Sequence, residues 1–373
     1  MDKIMGNGGK RGGWRNVKML GAVSFLNDLS SEIILPVLPF FLKSLAVSSV
    51  GIGIIGGIID GFSNIVKALS GAISDISGRR KPLVFAGYIL SQFSKLGLSY
   101  SSGAVDATLF TALDRTGKGI RTAPRDALIG EAVESKGGAF GLHRAMDTAG
   151  AIAGTILAIT MTYLGLQFRQ IILVAAAIGF LSVIPLLFVV ETGKAVKKLT
   201  LGFRMRKFLI FTVIFGMANV SYMFFILKAS DYGLLFALLL YLAYNVIYAT
   251  FAFPAGKLGD RVGKTRLLAA GYLCLAISAF FMLSDFLPAI IAAFLLFGLF
   301  MALSDALQRA LASEMSASQG FGLGAYHFVF GVSTIAGNGF AGLILQFFNF
   351  TGVFAYLIAL SIISAAIYFV EPF

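Results

Sequence analysis

The feature that most constrains this chain is a succession of apolar runs, most of them about 20 residues long, broken by short polar loops. A bilayer hydrocarbon core of about 30 Å is crossed by about 20 helical residues. The runs predict membrane-spanning helices at 17–43, 48–73, 82–101, 104–130, 138–163, 166–190, 207–227, 232–256, 267–284, 287–312, 320–347 and 351–370. About twelve such helices would use about two thirds of the chain and leave only short loops. Composition agrees: 13% of the 373 residues are charged and 58% are hydrophobic, against about a quarter charged in soluble domains. The 43 glycines suit helices that pack closely in lipid.

A net charge of +12 could suggest a nucleic-acid partner, but the basic residues sit in clusters between apolar runs. Lys3, Lys10, Arg11 and Arg15 precede the first run, and Arg79, Arg80 and Lys81 follow the second. Lys194, Lys197, Lys198, Arg204, Arg206 and Lys207 follow the sixth; Lys257, Arg261, Lys264 and Arg266 follow the eighth. The alternate loops hold little beyond Lys43, Lys228, Asp231 and Asp285. That is the positive-inside pattern, and an even span count then places both termini in the cytoplasm and the chain in the cytoplasmic membrane. The basic start is followed by a run long enough to span, so no cleavable signal peptide is expected. One cysteine, Cys274, excludes an intrachain disulfide.

The chain also repeats itself. The polar stretch 191–207 divides it into halves at 17–190 and 208–373, behind a cytoplasmic tail at 1–16. Gly71-Ala-Ile-Ser-Asp75-Ile-Ser-Gly78-Arg79 returns as Gly256-Lys-Leu-Gly-Asp260-Arg-Val-Gly263-Lys264, each after the second run of its half. A weaker echo pairs Phe140-Gly141-Leu142 with Phe321-Gly322-Leu323. The expected fold is an all-α membrane protein of two pseudo-symmetric six-helix bundles. Such repeats are frequent in carriers, whose solute site lies near the midplane.

The doubled G-x-x-x-D-x-x-G-[RK] resembles the loop signature of the major facilitator superfamily. Pro36-Val37-Leu38-Pro39 resembles the proline motif of its twelve-span drug/proton antiporters. Arg115-Thr-Gly117-Lys118-Gly119 is similar to the family's R-x-x-Q-G, with Lys118 in place of glutamine. Gly141, Gly150 and Gly154 match the antiporter glycine spacing, and Thr155 stands where a proline is usual. The resemblance implies a secondary transporter working by alternating access, in the drug/proton efflux direction. It implies gating roles for Gly71, Asp75, Gly78, Arg79, Gly150, Gly154, Gly256, Asp260 and Gly263. It also implies a part for Arg115 in proton transfer or gating.

Ionisable residues inside spans are costly and usually face a partner or a water-filled cavity. In the first run, Asp28 and Glu32 are four apart and share a helix face. Two carboxylates close together in low dielectric disfavour double ionisation, which suits proton coupling. Asp60, Asn64 and Lys67 fall on one face of the second run, where Lys67 could simply neutralise Asp60. Asp114, Lys118, Arg121 and Arg125 form a single stripe along the fourth run, with Arg115 about 100° away. Such positive excess asks for carboxylates such as Asp28, Asp60 and Asp147, or for an anionic solute. Arg125 and Asp126, nearer the cytoplasmic end, are expected to gate, as is Arg144. His143, Arg144 and Asp147 share spacing in the fifth run, with His143 expected to be a hydrogen-bonded structural histidine. In the second half Asp305 and Arg309 are expected to satisfy each other, Asn219, Asn245 and Asn338 to bond between helices, and Tyr241, Tyr244 and Tyr248 to pack.

The leading expectation is therefore proton-coupled efflux of a small solute. The residues expected to couple or bind are Asp28, Glu32, Asp60, Asn64, Asp114, Arg115, Lys118, Arg121 and Asp147. One alternative is uptake or exchange of an organic anion, with Lys118 and Arg121 as counter-charges. Another is a passive channel or lipid-translocating protein, although no repeated filter stands in the sequence. No phosphate loop, H-E-x-x-H or G-x-S-x-G occurs, so an enzyme is not expected. Two histidines and one cysteine predict neither metal nor cofactor. The expected partners are the solute, protons and the lipid bilayer, with no nucleic acid and a monomer as the working unit.

Overall fold

The computed structural model describes residues 2–132, 136–191, 203–315 and 319–370. Most of the linker expected at 191–207, with Lys194, Lys197 and Lys198, lies outside these residues, and the side chains of Gly141 and Asp260 are likewise not described. The described chain is helical, with no strand. A helix satisfies every backbone N–H and C=O group within its own segment, as lipid requires, and each of the twelve predicted runs is helical over most of its length.

The helices are α1 (Asp2–Ile34), α2 (Leu38–Ser44), α3 (Ser49–Gly57), α4 (Ser63–Ser77), α5 (Lys81–Ser99), α6 (Ala104–Ala132), α7 (Lys136–Tyr163) and α8 (Phe168–Leu181). They continue as α9 (Val183–Leu187), α10 (Phe203–Met217), α11 (Tyr222–Ala229), α12 (Leu234–Val262), α13 (Lys264–Phe281), α14 (Leu287–Glu314) and α15 (Gln319–Val370). Among the described residues, eight helical stretches are long and apolar enough to cross a membrane, and a ninth if Gly13–Ile34 and Leu38–Ser44, bent by 42°, form one span. The two predicted runs 320–347 and 351–370 are both helical within α15 and are separated by a break at Asn349 (φ 56°). Two others, α5 and α6, are helical but fall outside that set. The first gives positions to Ser91, Gln92, Ser94 and Lys95, and the second carries the charged stripe.

The chain divides into two compact units. One comprises Met1–Leu35, Val66–Ser101 and Leu109–Lys197; the other comprises Pro36–Ile65, Ser102–Thr108 and Lys198–Phe373.

In the first unit α1 packs along α7, and α5 crosses α6. Both crossings are made by glycines. A Cβ at Gly150 would fall on the Phe25 carbonyl, and one at Gly154 would lie 3.0 Å from the Glu32 Cβ. Gly87 and Gly117 face each other's carbonyls in the same way, which brings Tyr88 and Ser91 of α5 beside Arg121 of α6.

In the second unit α3 and the π-turn Ile58–Phe62 lie along α15, where Gly57 and Gly61 meet Ile335 and Gly331. The span holding α10 and α11 is interrupted at 218–221, and Asn338 of α15 repairs the break. Its Nδ2 donates to Asn219 O at 3.0 Å, and its Oδ1 accepts from Ser221 N at 2.7 Å. This is the interhelical role expected of Asn338. An aromatic core surrounds the break, with Phe225 stacked on Phe297 and Phe215 on Tyr368 at 4.4 and 4.2 Å.

Candidate functional site

The polar side chains of the first unit converge on the faces that α1, α5, α6 and α7 turn toward one another. On α1, Asn27 and Asp28 are adjacent. Gln92 Nε2 donates to Asn27 Oδ1 at 3.1 Å, and Asn27 Nδ2 donates to Asp28 Oδ1 at 3.1 Å. The Asp28 carboxyl in turn meets that of Asp147 on α7, with Lys118 and Arg125 of α6 close enough to act on its charge. Asp147 also accepts from Arg144 at 3.1 Å. The structure thus joins Asp28 to Asp147, a contact that spacing along either helix alone could not show. Glu32 stays on the same α1 face, one turn further on, against Gly154.

The stripe on α6 is resolved into pairs and single cations. Arg115 grips Asp114 with two donors, Nε at 2.9 Å and Nη2 at 2.5 Å, both on the same carboxylate oxygen. Arg125 holds Asp126 at 2.8 Å and reaches Ser24 at 3.1 Å. Ser24 also bonds His143 at 2.8 Å, the hydrogen-bonded role expected of that histidine. Arg121 lies 4.5 Å from the centroid of the Tyr88 ring and donates to Ser91 Oγ at 2.6 Å. Lys118 is open to solvent. Lys95, not singled out from the sequence, lies one turn beyond Ser91 on α5, is 2% exposed, and donates to Ser30 Oγ at 2.9 Å. The signal was present: a lone lysine in an apolar run, where an ionisable residue is costly.

Asp60 and Asn64 belong to the second unit. Asp60 sits in the π-turn, and Asn64 Nδ2 donates to the Asp60 carbonyl at 3.1 Å. A π-turn inside a helix frequently marks a functional position.

At the predicted cytoplasmic ends, Gly78 (φ 64°) and Gly263 (φ 105°) turn the chain in the left-handed region that only glycine enters cheaply. Gly71 approaches Ala123 of α6, while a Cβ at Gly256 would meet nothing within 4 Å. Asp75 pairs with Arg80 at 3.7 Å, and Arg80, 3% exposed, also holds Glu131 at 2.5 Å. Glu191 closes this corner by accepting from the backbone N–H groups of Arg80 and Lys81 at 2.9 and 2.8 Å. Arg79, named from the motif, is exposed; its neighbour Arg80 does the bridging.

In the second unit Asp305 and Arg309 pair at 2.6 Å, as expected, and Tyr248, expected only to pack, donates to Asp305 at 2.9 Å. Gln308, Tyr272 and Tyr326 form a buried hydrogen-bonded set, each link 2.8 Å, that the sequence reading did not single out. Among the described residues no group of three or more His, Cys, Asp or Glu could hold a metal ion.

These arrangements can be set beside known proteins. The family model described as Major Facilitator Superfamily matches residues 20–240 and 207–373. An uncharacterised MFS-type transporter of Methanocaldococcus jannaschii is 39% identical over 351 residues, covering 88% of each chain. An uncharacterised protein of Mycobacterium tuberculosis is 28% identical over 145 residues, covering 38% of this chain and 36% of its own length. Among solved structures, the nucleoside transporter NupG superposes with a TM-score of 0.77 at 14% identity, covering 95% of this chain and 98% of its own. The human organic anion transporter MFSD10 superposes with 0.71 at 14% identity, covering 95% and 99%. At such identity these two likenesses speak for the fold alone. The family model and the archaeal relative speak for the lineage, and they identify a multi-pass membrane transporter, not an enzyme. The chain belongs to the major facilitator superfamily.

Proposed function

We propose that this chain is a proton-coupled secondary transporter that moves a small organic solute out across the cytoplasmic membrane by alternating access. The observation that carries the reading is the meeting of Asp28 and Asp147 beside Lys118 and Arg125. Two carboxylates held in contact away from bulk water repel each other unless a proton lies between them. When that proton leaves, the pair's new charge falls to the adjacent cations of α6. Proton occupancy at α1 and α7 is in this way coupled to the charged face of α6. Asn27 and Gln92 fix the Asp28 carboxyl through the relay described above, so the pair is held in place.

The outward direction rests on the antiporter-like motifs at Pro36–Pro39 and at Gly150 and Gly154, and the cytoplasmic termini rest on the basic loops. Arg80, Asp75 and Glu131 form the ion-paired corner at which the motif loop would set the rate of switching.

Reconstitution into liposomes carrying an internal pH dye tests this reading. Imposed solute gradients are expected to drive proton movement in the native protein, and the Asp28→Asn variant is expected to lose it while keeping native size and helicity. Undiminished proton movement in that variant would refute the assignment.

A further inference from the structure

The charges around α5 and α6 do not balance. Lys95, Arg115, Lys118 and Arg121 share this region with Asp114, which Arg115 already grips with two donors, and with Asp28, whose carboxyl is hydrogen-bonded to that of Asp147. Arg121 finds a serine hydroxyl and the face of Tyr88, and Lys95 finds the hydroxyl of Ser30. That serine spends its own proton on the Ala175 carbonyl, at 2.6 Å. Lys95 and Arg121 are 2% and 3% exposed, and among the described residues neither forms an ion pair within 4.0 Å. A buried charge without a counter-charge is expensive and is kept only when something answers it. Asp28 acts on both through space, but its carboxyl is hydrogen-bonded to Asp147 and it makes no ion pair with either.

Lys118 completes the pattern. It stands between Asp114 and Arg121 on the same face of α6, three residues from Arg121, and it is open to solvent. Among the described residues its ammonium makes no hydrogen bond or ion pair. A solute arriving from water would meet Lys118 first, with the buried charges of Arg121 and Lys95 behind it.

We propose that the solute carries an oxyanion, a carboxylate or a phosphate ester, and that Lys118 binds it directly. Arg121 and Lys95 supply the positive potential that holds it. Lys95 is a positioning residue here, which neither the family motifs nor the sequence reading would have named. The inference rests on the transporter reading above and fixes the chemical class of its solute. An anion held at Lys118 also faces Asp28 across the cluster.

The test is thermal denaturation of the full-length, detergent-purified protein at fixed pH and ionic strength. The probes are benzoate and phenyl phosphate, with benzamide and benzylammonium as the neutral and cationic counterparts. A ligand that binds the folded state raises the melting temperature. Either anion is expected to raise it by several degrees, and the neutral and cationic probes are expected to leave it unchanged. Lys118→Met is expected to abolish the anion shift, and Lys95→Met to weaken apparent affinity about tenfold or more, which is about 1.4 kcal/mol. Lys95→Met is expected to melt at or above the native temperature without ligand, because it removes a buried charge that no carboxylate pairs, and Lys118→Met, at an exposed position, is expected to melt near it. A purely structural Lys95 would instead lower that ligand-free temperature. The proposal is overturned if neither anion stabilises, if benzylammonium does, or if the anion shift survives Lys118→Met. Those outcomes leave the proton assay with Asp28→Asn free to stand or fall by itself.

Discussion

Single side chains at the Arg80 corner have separable roles. Arg80, itself buried, holds Glu131 at 2.5 Å and Asp75 at 3.7 Å, so Arg80→Ala removes both ion pairs at once and returns two partly exposed carboxylates to water. A loss of about 1 kcal/mol is expected, read as a lower melting temperature. Arg79→Ala, one residue away and exposed, is expected to fall within about 0.5 kcal/mol of native. If Asp75→Ala slows transport with little change in solute affinity, the corner sets the switching rate; a large affinity loss would place the solute there instead. The motif identified this loop but not which arginine bridges it, because adjacent residues on a turn point in different directions. Charge position was legible elsewhere too: Asp28, Arg121 and Asp147 stand in apolar runs, where a charge needs a reason. Lys95 obeyed the same rule. Its partner Ser30 sits 65 residues away, a contact that only the folded chain provides.

At the scale of helices, the pattern of apolar runs carried the secondary structure, since lipid leaves the backbone little choice. It carried less about continuity. The break at 218–221 is tolerated because Asn338 repairs it, and hydropathy does not register it; the break at Asn349 falls where the apolar runs 320–347 and 351–370 were already separated. The glycine motif in α7 proves to be a packing device along α1. Gly150→Ala would drive a methyl onto the Phe25 carbonyl and is expected to cost about 1–3 kcal/mol. Gly256→Ala, where a methyl meets nothing, is expected to be neutral or to gain up to about 1 kcal/mol, the helix preference for alanine. Melting temperatures of the two variants decide this, and equal losses would mean that the crossing is not what Gly150 serves.

For the molecule as a whole, the basic loops make a statement about topology. With Cys274→Ser removing the native thiol, a cysteine at Arg79 is expected to react with impermeant maleimide only from the cytoplasmic side. A cysteine at Phe286, an exposed position between α13 and α14, is expected to react from outside. The reverse pattern would invert the protein and with it the direction of transport. The central claim concerns the carboxyl pair, and its most direct test is proton movement into dye-loaded proteoliposomes driven by an imposed gradient of a transported solute. The native protein is expected to couple the two. Asp28→Asn is expected to reduce coupled proton movement at least tenfold, with solute exchange between equal pools preserved. Equal proton movement in both proteins would show that Asp28 and Asp147 hold the fold and not the proton.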